Sequence, residues 1–334
     1  DVSTINSGDN FKMPGNTVKL TANWKAKNIK DYVSLTTEDV TEKYDGQPHP
    51  AGQATAAAKV GKDNKDIGNL KIEYQIPGTD TWTTDFSKIT ATNVSESTTV
   101  KVRVTSDDLL GELTGTEKLT ITKRDVTLTS ASDEKVYDGQ PLTNKNVTAS
   151  TGKNEGFVNG EGATYDVTGS QTTVGSSANK FTYTLNANTK AGNYEITTEA
   201  GTLTVTSNEN EVVVQIKGNT KTEKYNGTAK TVSGYEIVSI SNSLYRASDI
   251  HYAKTTTEVT KKNAGEYPMG LTAADFSNVN DNFSKVTFVV TDGKLTITKR
   301  DVTLTSATDQ KVYDGTALTN DEVTVSGDGF AAGE

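Results

Sequence analysis

The sequence predicts an all-β fold built of small sandwich modules in tandem, and three observations carry that expectation. The segment "KLTITKRDVTLTSA" runs from Lys118 to Ala131 and recurs letter for letter from Lys294 to Ala307. A Tyr-(Asp/Asn)-Gly tripeptide recurs at similar intervals, at Tyr44, Tyr137, Tyr225 and Tyr313. Hydrophobic residues make up only 33% of the 334 positions. That is lean for one large core and suits several small β-domains, each with much polar surface.

The repeated segment reads as two strands meeting. Leu119 and Ile121 are apolar at odd positions, whereas Val126 and Leu128 are apolar at even ones. Successive side chains of a strand face opposite sides, so one regular strand cannot bury both pairs together. The parity breaks at Lys123-Arg124-Asp125 and again at Lys299-Arg300-Asp301. Both flanks are rich in Thr, Val, Ile and Leu, as strands are. Here the last strand of one module is expected to hand over to the first strand of the next. The charged spacer lacks Gly and Pro, so it is expected to restrict hinge motion and keep the array extended.

The tripeptides Tyr44-Asp45-Gly46, Tyr137-Asp138-Gly139, Tyr225-Asn226-Gly227 and Tyr313-Asp314-Gly315 read as tight turns placed just after the first strand of each module. Turn chemistry accounts for the Asp and Gly, and packing in the module's core for the Tyr. A calcium role is disfavoured, because no run of alternating acids accompanies the Asp and position 226 carries Asn. These markers place modules at 31–123, 124–206 and 207–299. A fourth begins at 300–334, where "GDGFAAGE" matches "NEGFVNGEG" of Asn154–Gly162 and the module breaks off.

Module two resembles the MBG/YDG-type repeats of large bacterial surface proteins, through "VYDGQPLT", "GFVNGEG" and "AGNYEITTEAGTLTVT". Module three is similar through "KYNG", "NAGEYPMGL" and "DGKLTITK". Module one shares "KYDG" and "EKLTITK" but lacks the Ala-Gly-x-Tyr element. Within residues 1–30, "GDNFKMPGNTVKLTANWKA" resembles the closing hairpin of an internalin B-repeat-like β-grasp module, whose core Trp24 would close. The resemblance implies an extracellular, wall-attached, all-β adhesin or stalk of many repeats, and small Ig-like sandwiches are the expected modules.

Composition narrows the function classes. A net charge of −9 opposes binding to phosphate backbones and anionic membranes. No apolar run approaches the ~20 residues that span a bilayer. With no cysteine, disulfides, thiolate catalysis and Cys-based metal sites are excluded. His49 and His251 fall in different modules, so a shared metal site or triad is not expected, and neither shows an oriented partner nearby in sequence. The acid pairs Asp107-Asp108 and Asp321-Glu322 are chain neighbours that face opposite ways when extended, unlike the converging carboxyls of a glycosidase. Neither a phosphate-binding loop nor an HExxH motif occurs. No enzyme, metal or cofactor is therefore expected. Alternation places Ile72, Tyr74 and Ile76 on one buried face, which leaves Trp82 as the candidate ligand contact.

The expected protein is the non-catalytic, monomeric repeat region of a bacterial surface adhesin. It would act as a stalk or grip host mucin, glycoprotein or glycan through many weak contacts. The alternative is a spacer within a large secreted or wall-attached carbohydrate-active enzyme.

Overall fold

The parity break in the repeated segment is a strand boundary. In the computed structural model, which describes residues 25–334 together with Gly15 and Thr21, one strand ends at Thr122 and the next begins at Arg124. The proposed β-grasp hairpin, Trp24 included, lies almost wholly outside the described residues.

Module one opens with a short helix α1 (Ile29–Tyr32), capped by the Asn28 side chain on the Lys30 N–H. Ile29 is fully buried with Val33, Ile67, Val104 and Leu109, so the expected division at residue 30 passes through this module's core. Its longer strands and the short β5 are β1 (Val33–Thr36), β2 (Val40–Lys43), β3 (Thr55–Ala58), β4 (Leu70–Gln75), β5 (Trp82–Thr83), β6 (Thr98–Ser106) and β7 (Leu113–Thr122), beside a two-residue pair of His49–Pro50 with Thr90–Ala91. A five-stranded sheet runs β2-β7-β6-β4-β5, and β1 pairs with β3. Alternation decides the faces: Val100, Val102 and Val104 of β6 are fully buried, and Lys101 between them is exposed.

Modules two and three each carry two three-stranded sheets. Module two has β8 (Arg124–Ser130), β9 (Asp133–Val136), β10 (Val147–Ala149), β11 (Gly175–Ala178), β12 (Tyr194–Glu199) and β13 (Thr202–Thr206), in the orders β10-β8-β12 and β9-β13-β11. Module three repeats the plan with β14 (Val212–Gly218), β15 (Thr220–Lys224), β16 (Tyr235–Ile240), β17 (Gly265–Pro268), β18 (Val286–Thr291) and β19 (Lys294–Thr298), ordered β16-β14-β18 and β15-β19-β17. Its larger core gathers Val212, Val214, Ile216, Tyr245, Phe276 and Phe283. Beyond it, β20 (Val302–Ser306) pairs with β21 (Val323–Gly327), and Leu304, Val323 and Val325 stay exposed. The fold is thus all-β, in tandem sandwich modules. Contacts gather into two compact units, one of module one with residues 149–164, 183–198 and the start of β8, the other of the remaining chain.

One pairing positions everything that follows. The second strand of each module, not the first as expected, leads into the Tyr turn, and it lies parallel to the module's closing strand. The registers Lys43↔Thr122, Val136↔Thr206 and Lys224↔Thr298 are equivalent. In each, the next residue is the turn Tyr, whose N–H donates to that closing Thr carbonyl at 2.9 Å. Each Tyr turn therefore stands where its chain leaves for the next module.

Candidate functional site

The turns themselves follow Asp/Asn chemistry. Asp45, Asp138, Asn226 and Asp314 each accept the N–H two residues on at 2.8–3.1 Å. Their glycines take φ of +79°, +76°, +76° and +73°, a region other residues enter only with strain. The Asp314 carboxyl is pulled down to about 2 by the Thr316 hydroxyl and N–H and by Lys311. Among the described residues, no three His, Cys, Asp or Glu side chains gather as metal ligands.

Tyr137 and Tyr225 pack against the cores of their own modules, as the sequence suggests, whereas Tyr44 has a different task. Tyr44 is buried, 4% exposed, against module two rather than within its own core. Its hydroxyl donates to Glu161 Oε1 at 2.5 Å, and Tyr194 donates to Glu161 Oε2 at 2.7 Å. The two rings meet edge to face at 5.4 Å, and Phe157 meets Tyr194 at 5.2 Å. Tyr194 Oη also accepts the Val158 N–H at 3.1 Å. Burial, then the Glu161 carboxylate, pushes the Tyr44 phenol up to about 12; burial raises Tyr194 as well. Both therefore stay protonated donors at physiological pH. Beside them, Asn193 accepts the Val94 N–H at 3.0 Å and donates to Asn93 Oδ1 at 2.8 Å. Module two thus grips module one with an Asn-aromatic pair, Asn193-Tyr194.

The junction of modules two and three has the same design with one change. Asn282 accepts the Val174 N–H at 2.8 Å, and Phe283 meets Tyr137 edge to face at 5.5 Å. Asn282-Phe283 thus corresponds to Asn193-Tyr194. Letter matching pairs "AGNY" of module two with "NAGEY" of module three, and the structure corrects this. Tyr267 belongs to β17 and packs within module three, its hydroxyl on Asn263 O at 3.0 Å. Phe283 has no hydroxyl to satisfy, and a Leu244 side chain stands against Gly139 where Val158 stands against Gly46.

Arg124 explains why the repeated segment is kept. Expected only as part of a charged spacer, it is 9% exposed. Its guanidinium donates to Gly156 O at 2.7 Å and Glu155 O at 2.9 Å, with longer bonds to Gly152 and Lys153 carbonyls. This holds the Gly156-to-Glu161 loop that presents Glu161 to Tyr44. Arg300 does the same for the second copy, donating to Gly329 O at 2.7 Å and to Asp328 O, and there Tyr225 donates to Glu334. "GFVNGE" and "GFAAGE" are one loop, and the Arg of "KRD" is its anchor. Lys43 and Lys224, each preceding the turn Tyr, add ion pairs to Asp125 and Asp328. Module three carries neither the Arg nor the Glu at these places, and its junction closes on aromatic rings.

Other candidates fall elsewhere. Trp82 pairs with Gln75 on the outer face of the five-stranded sheet, half-buried, with the Arg103 guanidinium 4.2 Å from its ring. Arg103 is held at 2.9 Å by Glu73, whose carboxyl Lys71 and Arg103 keep below its usual range. Tyr74 is in the core, as its alternation predicts, and accepts the Ala54 N–H at 2.8 Å. His49 does have a partner, Asp45 at 2.9 Å; His251 lies exposed on a strand paired with Ser277. Glu117 faces the core of module one, 1% exposed, with no hydrogen-bond partner for either carboxyl oxygen.

The fold and these junctions define a class, a tandem all-β repeat chain. Its likenesses to solved structures are at low identity and low TM-score. They include the I-band fragment I67–I69 of titin (10% identity, covering 81% of this chain and 99% of that one, TM-score 0.22) and Drosophila OTK extracellular domains 3–5 (11%, 82% and 99%, TM-score 0.21). A third is the Bacteroides ovatus SGBP-B of a mixed-linkage glucan utilization locus, in complex with a heptasaccharide (13%, 86% and 71%, TM-score 0.16). No family model matches the chain, and no curated protein matches it.

Proposed function

We propose that this chain is a non-catalytic stalk region of an extracellular, surface-displayed bacterial protein of the MBG/YDG type. The observation that carries this is the Tyr44–Glu161–Tyr194 interlock. A half-buried carboxylate hydrogen-bonded by a phenol from each of two modules is costly to separate, since opening it breaks both charge-assisted bonds and exposes both rings. Closely paired, buried polar side chains stand at the junctions rather than around a cavity with convergent catalytic groups. Such a design transmits position along a chain, whether the stalk carries an adhesive head or spaces a catalytic domain. Labelling intact, unpermeabilised cells with antibody against this region tests the placement. Surface labelling is expected, and labelling only after permeabilisation overturns it.

One observation favours a secondary glycan-gripping role. Trp82 lies on an outer sheet face with its ring orientation fixed by Arg103, which reduces the ordering cost of stacking on a sugar. Trp82→Ala is expected to abolish any retention of the chain on immobilised mucin, and retention equal to the parent removes this reading.

A further inference from the structure

We propose that the outer face of the five-stranded sheet in module one binds an acidic glycan, whose sugars carry carboxylate or sulfate groups. The proposal rests on the glycan-gripping reading of Trp82 and names the class of glycan that this face selects.

Charge complementarity carries the argument. Alternation along β4, β6 and β7 turns Lys71, Lys101, Arg103 and Lys118 to the outer face, against one acid, Glu73. The chain as a whole has the opposite balance, 34 basic residues to 43 acidic. A face of reversed sign on an acidic protein attracts an anionic partner there and not along the rest of the chain.

Two of the four cations are already engaged. Glu73 accepts Lys71 at 2.7 Å and Arg103 at 2.9 Å, and the Arg103 guanidinium stands 4.2 Å from the centre of the Trp82 ring. Glu112 lies 3.9 Å from Arg103 on its other side. Lys101 and Lys118 are exposed, and among the described residues neither ammonium joins an ion pair; Asp39 accepts the Lys118 backbone N–H at 2.7 Å. The pairings Thr99↔Lys118 and Lys101↔Thr116 set the two lysines on diagonal positions of one face, about 7–8 Å apart at the backbone.

Trp82 and these lysines are joined by Gln75. Gln75 lies opposite Trp82 on one side, and the Tyr74↔Val102 pairing places it beside Lys101 on the other. Next to this row is a cleft of about 340 Å³, lined by Gln75, Gly78, Asp80, Thr99 and Lys101 among others. That volume is within the ~300–1,000 Å³ of small-ligand sites. Gln75 Nε2 donates to Thr79 O at 2.7 Å, which fixes the amide and leaves its Oε1 as an acceptor. The face therefore offers a ring for stacking, acceptors in Gln75 and Asp80 for sugar hydroxyls, and two ammoniums for anionic groups. A phosphate polymer is a poorer match, because the one guanidinium of the face is held by Glu73 and Trp82.

The test is biolayer interferometry of the chain on immobilised polygalacturonate, its methyl ester, dextran sulfate, dextran and single-stranded DNA. At least one charged polysaccharide should bind about tenfold more tightly than its neutral counterpart, and the two arms tell carboxylate from sulfate. Lys101→Gln combined with Lys118→Gln should remove that preference, and Trp82→Ala should weaken binding to every glycan. The matched pair Lys217→Gln and Lys262→Gln, exposed lysines of module three, should change nothing. Equal binding to charged and neutral glycans, lost in Trp82→Ala, would overturn the acidic preference and leave the Trp82 reading standing. No binding to any glycan would overturn both. DNA bound as tightly as the charged glycans, or an equal loss in the Lys217 and Lys262 variant, would reveal a general charge effect and overturn the proposal.

Discussion

Tyr44 and Glu161 are 117 residues apart in the chain, yet the Tyr44 hydroxyl lies 2.5 Å from Glu161 Oε1. The contact exists because parallel pairing of β2 with β7 brings the Tyr44 turn to the exit of module one. On the other side, Arg124 holds the loop that carries Glu161. Neither half is built by residues near the other in sequence.

Arg124 is predicted to matter beyond its charge. Arg124→Lys keeps the cation but loses the planar fork that reaches several carbonyls at once. We expect both Arg124→Lys and Arg124→Ala to destabilise the Gly156–Glu161 loop by about 2–4 kcal/mol. Exchange of the Gly156 amide, which donates to Asp125 O at 2.8 Å, reads this directly. Parental exchange in Arg124→Lys would show that charge alone suffices.

Glycine at the turns separates backbone strain from junction contact. Gly139 and Gly315 share nearly the same φ, +76° and +73°. A Cβ on Gly139 would come within 2.8 Å of Leu244, whereas one on Gly315 meets nothing within 4 Å. Gly315→Val should cost about 1 kcal/mol from strain. Gly139→Val should cost about 1–2 kcal/mol more. Equal costs in chemical denaturation would deny the Leu244 contact its role.

Glu117 predicts a pH dependence of module one. Burial lifts its carboxyl from 4.5 to about 7, and the nearby Asp39 charge adds to the shift. The folded state then binds the proton more tightly than the unfolded chain. Its contribution is complete below pH 4.5 and is lost as pH rises toward 7, by at most about 3 kcal/mol. Glu117→Gln should therefore melt near the parent at pH 4 and above it at pH 8. A variant less stable at pH 8 would contradict this.

Calcium should leave the thermal stability of the chain unchanged. Asp138 already accepts Gln140 N–H and Lys135 Nζ through one oxygen, and these hold its carboxyl below the usual range. A marked rise in melting temperature on adding calcium would mean that the Asp138 turn serves a cation as well as its own backbone.

Strand alternation and turn chemistry were legible because both are local. Val126 and Leu128 announce their buried face by spacing, and Asp138-Gly139 its turn by residue type. The partners of Tyr44 were not legible, since only the parallel β2–β7 pairing decides which end of the module the turn occupies. The role of Arg124 was hidden for a related reason: beside Lys123 and Asp125 it reads as one of three spacer charges, and its carbonyl acceptors carry no sequence signal. The Asn-aromatic pair was hidden by a decoy. Ala191-Gly192-Asn193-Tyr194 and Ala264-Gly265-Glu266-Tyr267 share letters but lie in different sheets, while Asn282-Phe283 holds the equivalent place. The recurrence of Glu161 and Glu334 after Gly-Phe was the available signal.

Energetic coupling of Tyr44 to Glu161 across the junction is what the stalk design rests on. A double-mutant cycle of Tyr44→Phe and Glu161→Ala tests it, read by native-state exchange of the Val158 amide, which donates to Tyr194 Oη at 3.1 Å. A coupling energy of about 1–3 kcal/mol is predicted, with the double variant little worse than Glu161→Ala alone. Additive effects, with no coupling beyond about 0.5 kcal/mol, would contradict it.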